Sequence, residues 1–130
     1  MPFDEADSGE VERLLVAARA DGLAGEASRQ IGWFERVSRD GQWDAGLVLL
    51  ARDDVTGALA AVAHSWTSGF LKDLAVDERH RRRGLGQALV GETAGLFCDR
   101  GLSHLDLKVR PANIPARRFY RSLGFRTVDG

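Results

Sequence analysis

The apolar run Phe70-Leu71-Lys72-Asp73-Leu74-Ala75-Val76 is followed, four residues on, by Arg81-Arg82-Arg83-Gly84-Leu85-Gly86-Gln87-Ala88, and this junction constrains the fold more than any other part of the chain. The first run has the length and flanks of a short buried strand, whereas Leu85, Leu89, Glu92 and Leu96 recur at helical intervals. The spacing therefore predicts a strand, a loop rich in arginine and glycine, and a helix that starts at the loop's end. Gly84 and Gly86 carry no Cβ, so the backbone there can turn sharply and approach a ligand closely. The first turn of a helix leaves its N–H groups unpaired, and its dipole favours a nearby anion by about 0.3–1 kcal/mol. Adjacent guanidinium groups add salt-sensitive attraction, so the junction reads as a cradle for an anion such as a pyrophosphate.

With 130 residues, 44% of them hydrophobic, residues 1–130 are expected to form one domain. A chain of this size buries roughly two-thirds of the surface it exposes when unfolded. The formal charge of -1 conceals an asymmetry: residues 1–60 hold 12 acidic and 6 basic side chains, residues 61–130 hold 7 and 12. The second half is thus the anion-facing half. Cys98 is the single cysteine, which leaves no intramolecular disulfide and no cysteine-based metal site, as expected of a chain in a reducing compartment such as the cytoplasm. No apolar run approaches the roughly 18 residues of a membrane span, and the acidic start Asp4-Glu5-Ala6-Asp7 is unlike a signal peptide. Neither a membrane nor a metal is expected.

Along the chain, Val11, Leu14, Leu15 and Ala18 mark a first helix, capped by Asp7 with Glu10 three residues on and stopped by Gly22. A second amphipathic segment runs from about Glu26 to Val37, with Ile31, Phe34 and Val37 inward and Gly41 beyond its end. Leu47–Ala51 and Ala58–His64 flank the polar connection Asp53-Asp54-Val55-Thr56-Gly57 and predict a hairpin. Thr67-Ser68-Gly69 then leads into Phe70–Val76, completing a meander of three strands ahead of the cradle. In Leu105–Arg110 apolar and polar residues alternate, which predicts a fourth strand. Pro111 and Pro115 bracket a turn before a short helix bearing Ala116, Phe119, Tyr120 and Leu123, closed by Gly124-Phe125. The expected class is α+β, with a mixed, mostly antiparallel sheet flanked by helices.

Strand, Arg-x-x-Gly-x-Gly loop, helix, strand, then Asn113, Ala116, Tyr120 and Gly124-Phe125 together resemble the acetyl-CoA-dependent N-acetyltransferases of the GNAT superfamily. The likeness covers about Leu47 to Phe125 and includes Asp73-Leu74-Ala75-Val76, where that family often has an acidic residue followed by Leu-x-Val. Dinucleotide-binding folds place such glycines after the first strand of a βαβ series, and a P-loop ends in Lys-Ser/Thr; neither holds here. The family usually has a strand before its first helix and one or two after the Gly-Phe element. The resemblance therefore implies a sheet lacking its first and last strands, and a homodimer in which a second copy completes it.

The same resemblance implies transfer of an acetyl group from acetyl-CoA to a primary amine by direct attack, or, as the alternative, a catalytically inactive acetyl-CoA-binding sensor or interaction domain. It assigns the pyrophosphate to Gly84, Gly86 and the surrounding amides of Leu85, Gln87 and Ala88, supported by Arg81, Arg82 and Arg83. Leu74, Ala75 and Val76 would lend backbone groups to the pantetheine arm and an N–H to the oxyanion. Asn113 is either a cofactor contact or a turn asparagine bonded to its own backbone. Tyr120 is implied as the acid that protonates the departing thiolate; a phenol with an ordinary pKa of about 10 is a donor at neutral pH, although its helical spacing also suits a core role. An alkylammonium must lose a proton before it attacks, which at pH 7 costs about 4.6 kcal/mol. Asp73 is the first candidate to accept that proton and His64 the second, each with a plain structural reading beside it.

His80 and His104 look peripheral, Cys98 reads as a small core residue, and Trp33, Trp43 and Trp66 line an acceptor pocket or pack the core. The acidic first half favours a cationic acceptor. A pI of about 6.3 and the absence of aromatics within Arg79-His80-Arg81-Arg82-Arg83 argue against a nucleic-acid partner.

Overall fold

Three antiparallel strands in the order β1-β2-β3 form the centre of the computed structural model, which describes residues 3–22 and 31–128. They are β1 (Val48–Arg52), β2 (Leu59–Trp66) and β3 (Phe70–Val76). Leu50 lies opposite Val62, and Ala63 opposite Leu74. As the middle strand, β2 is buried from Leu59 to Ser65, which explains its near-continuous Ala and Val content. In β3 burial alternates strictly, matching the two-residue period of a strand.

Helices α1 (Ser8–Gly22) and α2 (Trp33–Val37) belong to one apolar layer, where Val11, Leu14, Leu15, Trp33 and Val37 meet Val48, Leu50, Val62 and Ala75. The opposite layer joins Ala61, Ala63 and Leu71 to Leu89 and Val90 of α3 (Leu85–Asp99), and to Phe119, Tyr120 and Leu123 at α4 (Ile114–Ser122) and its end. Fully burying one such Leu or Val side chain contributes about 1.5–3 kcal/mol. The mixture of helices with an antiparallel sheet is the expected α+β class.

Several local expectations need correction. Asp4, not Asp7, caps the N-terminal turn: its side chain accepts the Ala6 N–H, Asp7 accepts the Asp4 N–H, and α1 follows from Ser8. Asp7 and Glu10 instead hold Arg52 of β1 at 2.9 and 3.1 Å, tying α1 to the sheet. Of the second helix, 26–30 lie outside the described residues, and the helix observed is Trp33–Val37. Ile31 is exposed rather than inward. Gly32, with φ 74°, cannot cap α2 with a side chain, so Glu12 of α1 accepts the N–H groups of Gly32 and Trp33 at 2.7 and 3.0 Å. Within α3 the inward residues are Leu89, Val90, Thr93 and Phe97, whereas Glu92 and Cys98 face solvent.

The fourth strand is the largest difference. Residues 105–110 touch β3 through one parallel bridge, Phe70 to Asp106, with Leu71 N–H donating to Asp106 O and Asp106 N–H to Gly69 O. No further ladder forms among the described residues, yet Leu105, Leu107 and Val109 keep the alternating half-burial of a strand. Alternation in a sequence reports which face is covered and says nothing of whether a neighbouring edge is within hydrogen-bonding distance. Here the segment starts beside β3 and then parts from it.

Candidate active site

That parting exposes backbone. Asp77 N–H donates to Ala60 O on β2, so by strand alternation the peptide groups of Ala75 face β2, while those of Leu74 and Val76 face the edge beside 107–110. The side chains of Leu74 and Val76 pack with Leu105, Leu107, Phe119 and Tyr120 beneath that edge. Arg81 reaches back along it, its Nε donating to Val76 O at 3.3 Å.

The cradle adjoins this edge. Asp77 caps a 3-10 turn, Glu78–His80, and the backbone then runs extended at Arg81. Arg82 adopts φ 66°, a left-handed conformation that costs a residue with a Cβ about 1–2 kcal/mol, and Gly84 adopts φ 77° as the N-cap of α3. No side chain caps α3, so the N–H groups of its first turn are offered to whatever lies ahead of them. With Arg81, Arg82 and Arg83 exposed around a 15-residue helix terminus, the junction has the charge and donors to bind an anion.

The two glycines have different tasks. A Cβ built on Gly84 meets nothing within 4 Å, so this residue serves the left-handed turn. A Cβ on Gly86 would lie 3.2 Å from Phe119 Cζ and 3.8 Å from Val76 Cγ2, so Gly86 lets α3 close onto α4 and β3. Gly86→Ala gains up to about 1 kcal/mol of helix propensity but must displace the Phe119 ring; a net loss in urea denaturation is the expected result, and a net gain would show that the ring yields freely.

Tyr120 is half-buried on α4, in edge-to-face contact with Phe119 and Phe125 at centroid distances of 5.1 and 5.5 Å. It therefore shares an apolar layer with Leu74, Val76 and Leu85. Asn113 is the N-cap of α4: its Oδ1 accepts the Ala116 N–H at 3.2 Å, and its own N–H donates to Arg110 O. The backbone bond that its turn reading expects is present. A cavity of about 500 Å³ touches, among the candidate residues, only Gln87, together with Gly91, Leu123 and Phe125.

His64 and Asp73 sit on the other face of the sheet. They lie opposite each other on β2 and β3, with His64 Nδ1 3.0 Å from Asp73 Oδ2. The same oxygen accepts Trp33 Nε1–H at 3.0 Å and lies 3.4 Å from Lys72 Nζ. Burial, the largest influence, pushes the Asp73 carboxyl up, but His64, Lys72 and Trp33 together outweigh it and bring it to about 2. Since an ionised carboxylate only accepts hydrogen bonds, Nδ1 carries the proton, and in the neutral ring Nε2 is then a bare lone pair. That nitrogen is buried without a hydrogen-bond partner among the described residues. Trp33, Trp43 and Trp66 surround the ring at 5.6, 5.4 and 4.8 Å. The three tryptophans thus pack against the pair, with Trp33 buried and the others half-buried.

The model of the Acetyltransferase (GNAT) family matches residues 8–125, nearly the whole chain. The chain belongs to this family. Over 80 residues it is 35% identical to the streptothricin acetyltransferase of Streptomyces lavendulae, covering 60% of this chain and 42% of that one. Over 94 residues it is 35% identical to the [ribosomal protein bS18]-alanine N-acetyltransferase of Salmonella typhimurium, covering 72% and 64%. The chain thus spans less than two-thirds of the length of these relatives. In fold it is similar to AAC(6')-Iy in complex with the bisubstrate analogue CoA-S-monomethyl-acetylneamine, with a TM-score of 0.70, 13% identity, and coverage of 98% of this chain and 90% of that one.

Every candidate residue lies inside the span the GNAT family model matches. The fold brings Leu74, Val76, Arg81, Gly84 and Tyr120 to the β3–α3–α4 side and separates them from His64 and Asp73 by the thickness of the sheet. One residue that looked peripheral does not lie loose. His80, 12% exposed, is held between Asp53 and Asp77, its two ring nitrogens each 2.8 Å from a carboxylate oxygen. Asp-x-x-His, in Asp77-Glu78-Arg79-His80, was the local signal; the Asp53 contact, 27 positions away, had none. Among the described residues no cluster of His, Cys, Asp or Glu is arranged to hold a metal ion. No helix there is long and apolar enough to cross a membrane.

Proposed function

We propose that the chain is an N-acetyltransferase that binds acetyl-CoA in the gap beside β3 and passes its acetyl group to a primary amine. The observation that carries this reading is the continuity of the outward peptide edge at Leu74–Val76 with the cradle at the N-terminus of α3. An extended arm ending in a diphosphate needs a row of backbone donors and acceptors that leads into an anion site, and the chain offers the two in sequence. Acetyl-CoA would supply an activated acyl group with a thiolate leaving group. The outward N–H groups of Leu74 and Val76 polarise the acyl oxygen, and Tyr120 protonates the thiolate. His64 takes the ammonium proton at Nε2, with Asp73 holding its tautomer. In this reading the order of the base candidates is reversed, because a carboxyl held near 2 and 1% exposed is a weak base at neutral pH.

One observation favours the binding-only alternative: His64 and Asp73 are 0% and 1% exposed, so the acceptor's proton must reach a covered ring. Calorimetric titration with acetyl-CoA, followed by a thiol-release assay across polyamines, aminoglycosides and N-terminal peptides, separates the two. Binding in the micromolar range with amine-dependent thiol release is the expected result. Binding without release from any amine establishes the sensor, and a folded protein that binds no acetyl-CoA overturns both readings.

A further inference from the structure

His80 faces two carboxylates at once, with Nδ1 2.8 Å from Asp77 Oδ2 and Nε2 2.8 Å from Asp53 Oδ2. A neutral imidazole has one N–H and can donate to only one of them; the imidazolium donates to both. The two acids belong to separate parts of the fold, and each is fixed by its own backbone. Asp53 heads the β1–β2 turn, where its Oδ1 accepts the N–H groups of Val55 and Thr56, and its main chain bonds to Ala58 and Gly57. Asp77 follows β3, donating its N–H to Ala60 O at 2.7 Å and accepting the Arg79 N–H at 3.3 Å. The imidazolium therefore bolts the hairpin turn to the 3-10 turn that opens the cradle.

The loop beyond this bolt is one that must be held in shape. Arg81 comes next, then Arg82 in its left-handed conformation, then Gly84 and the α3 terminus. A strained conformation persists only where its surroundings over-determine it. On the upstream side of Arg82, the surroundings include the Arg81–Val76 bond and the His80 bolt.

We propose that His80, in its protonated form, is a positioning residue for acetyl-CoA: by joining Asp53 to Asp77 it holds the Arg81–Gly84 loop in the shape that receives the diphosphate. This rests on the acetyl-CoA reading above. The charged groups facing the ring are Asp53 from the hairpin and Asp77 from its own turn, with Arg79 3.5 Å from Asp77 on an exposed side chain. β2 meets this turn at Ala60, whose carbonyl accepts the Asp77 N–H. Asp53 first and Asp77 second raise the pKa of His80 above its ordinary value. The bolt is accordingly complete below about pH 6.5 and is lost as the pH rises through the raised value.

The test is the dissociation constant of acetyl-CoA from pH 6 to pH 9.5 at fixed ionic strength, for the wild type, His80→Gln and His80→Arg. Acetyl-CoA carries no free thiol, so the ligand contributes no thiol titration in this range. Wild-type affinity is expected to fall about 5- to 10-fold from low to high pH, within the usual range of coupling between sites. His80→Gln should bind weakly and without that pH step, and His80→Arg, a permanent cation with a forked head, should bind well throughout and restore what glutamine loses. A wild-type profile that is flat, or a step that persists in His80→Gln, overturns the positioning role while leaving cofactor binding intact. If none of the three proteins binds acetyl-CoA at any pH, the cofactor reading itself falls.

Discussion

Asp73→Ala is expected to lower stability by about 3–5 kcal/mol at pH 7, the usual consequence of removing one partner from a buried charged cluster. The carboxylate is 1% exposed, and three donors converge on Oδ2: His64 Nδ1, Trp33 Nε1 and Lys72 Nζ. Without it, the indole and imidazole N–H groups are left buried and unsatisfied. A domain of this kind has only about 5–15 kcal/mol in hand, so the variant should unfold at low urea and sit near its folding threshold. Asp73→Asn keeps one oxygen acceptor in nearly the same volume and should lose roughly half as much. The folded carboxyl is held at about 2, below its ordinary 3.8, so its contribution is present above about pH 4 and is lost as the pH falls towards 2. That contribution is about 2 kcal/mol. Urea midpoints for wild type and Asp73→Asn, followed from pH 6 to pH 2, should converge in this window. Midpoints that stay parallel to pH 2 would show that the pair is not charge-dependent.

How far the sequence disclosed this arrangement depends on the distance over which each feature is determined. The meander and cradle are local: short apolar runs, Gly-containing turns and a helical repeat beginning at Leu85 are set by residues within a few positions of one another. The Asn113 cap and the Gly124 turn, with φ 98°, belong to the same class. Long-range determinants were not visible. Nothing near Gly32 announces that Glu12 will supply the missing cap, and nothing near His80 announces Asp53. Residues 105–110 carry a strand's alternation because one face is covered, while the ladder is absent because β3 diverges from it. Gly86 also carries a packing constraint that nothing nearby announces, since the atom a Cβ would meet belongs to Phe119, 33 positions on. The candidate residues could be named from the sequence, and their division between the two faces of the sheet could not.

Tyr120→Phe is expected to reduce kcat about 10²- to 10⁴-fold while leaving the dissociation constant of acetyl-CoA nearly unchanged. The ring packs between Phe119 and Phe125 and joins the layer containing Leu74 and Val76, and phenylalanine preserves that packing. If Tyr120 supplies the leaving thiolate's proton, as proposed, removing the oxygen isolates that step, and a small change in urea midpoint would confirm that the fold is intact. A fall in affinity matching the fall in kcat/KM would place Tyr120 in binding instead of proton transfer. If His64 takes the amine's proton, removing its ring nitrogens should slow the reaction while leaving acetyl-CoA binding intact. His64→Phe, which retains a ring among Trp33, Trp43 and Trp66, is the variant that tests this. A His64→Phe chain that turns over as fast as the wild type would remove His64 from the reaction and leave the pair with Asp73 as a structural one.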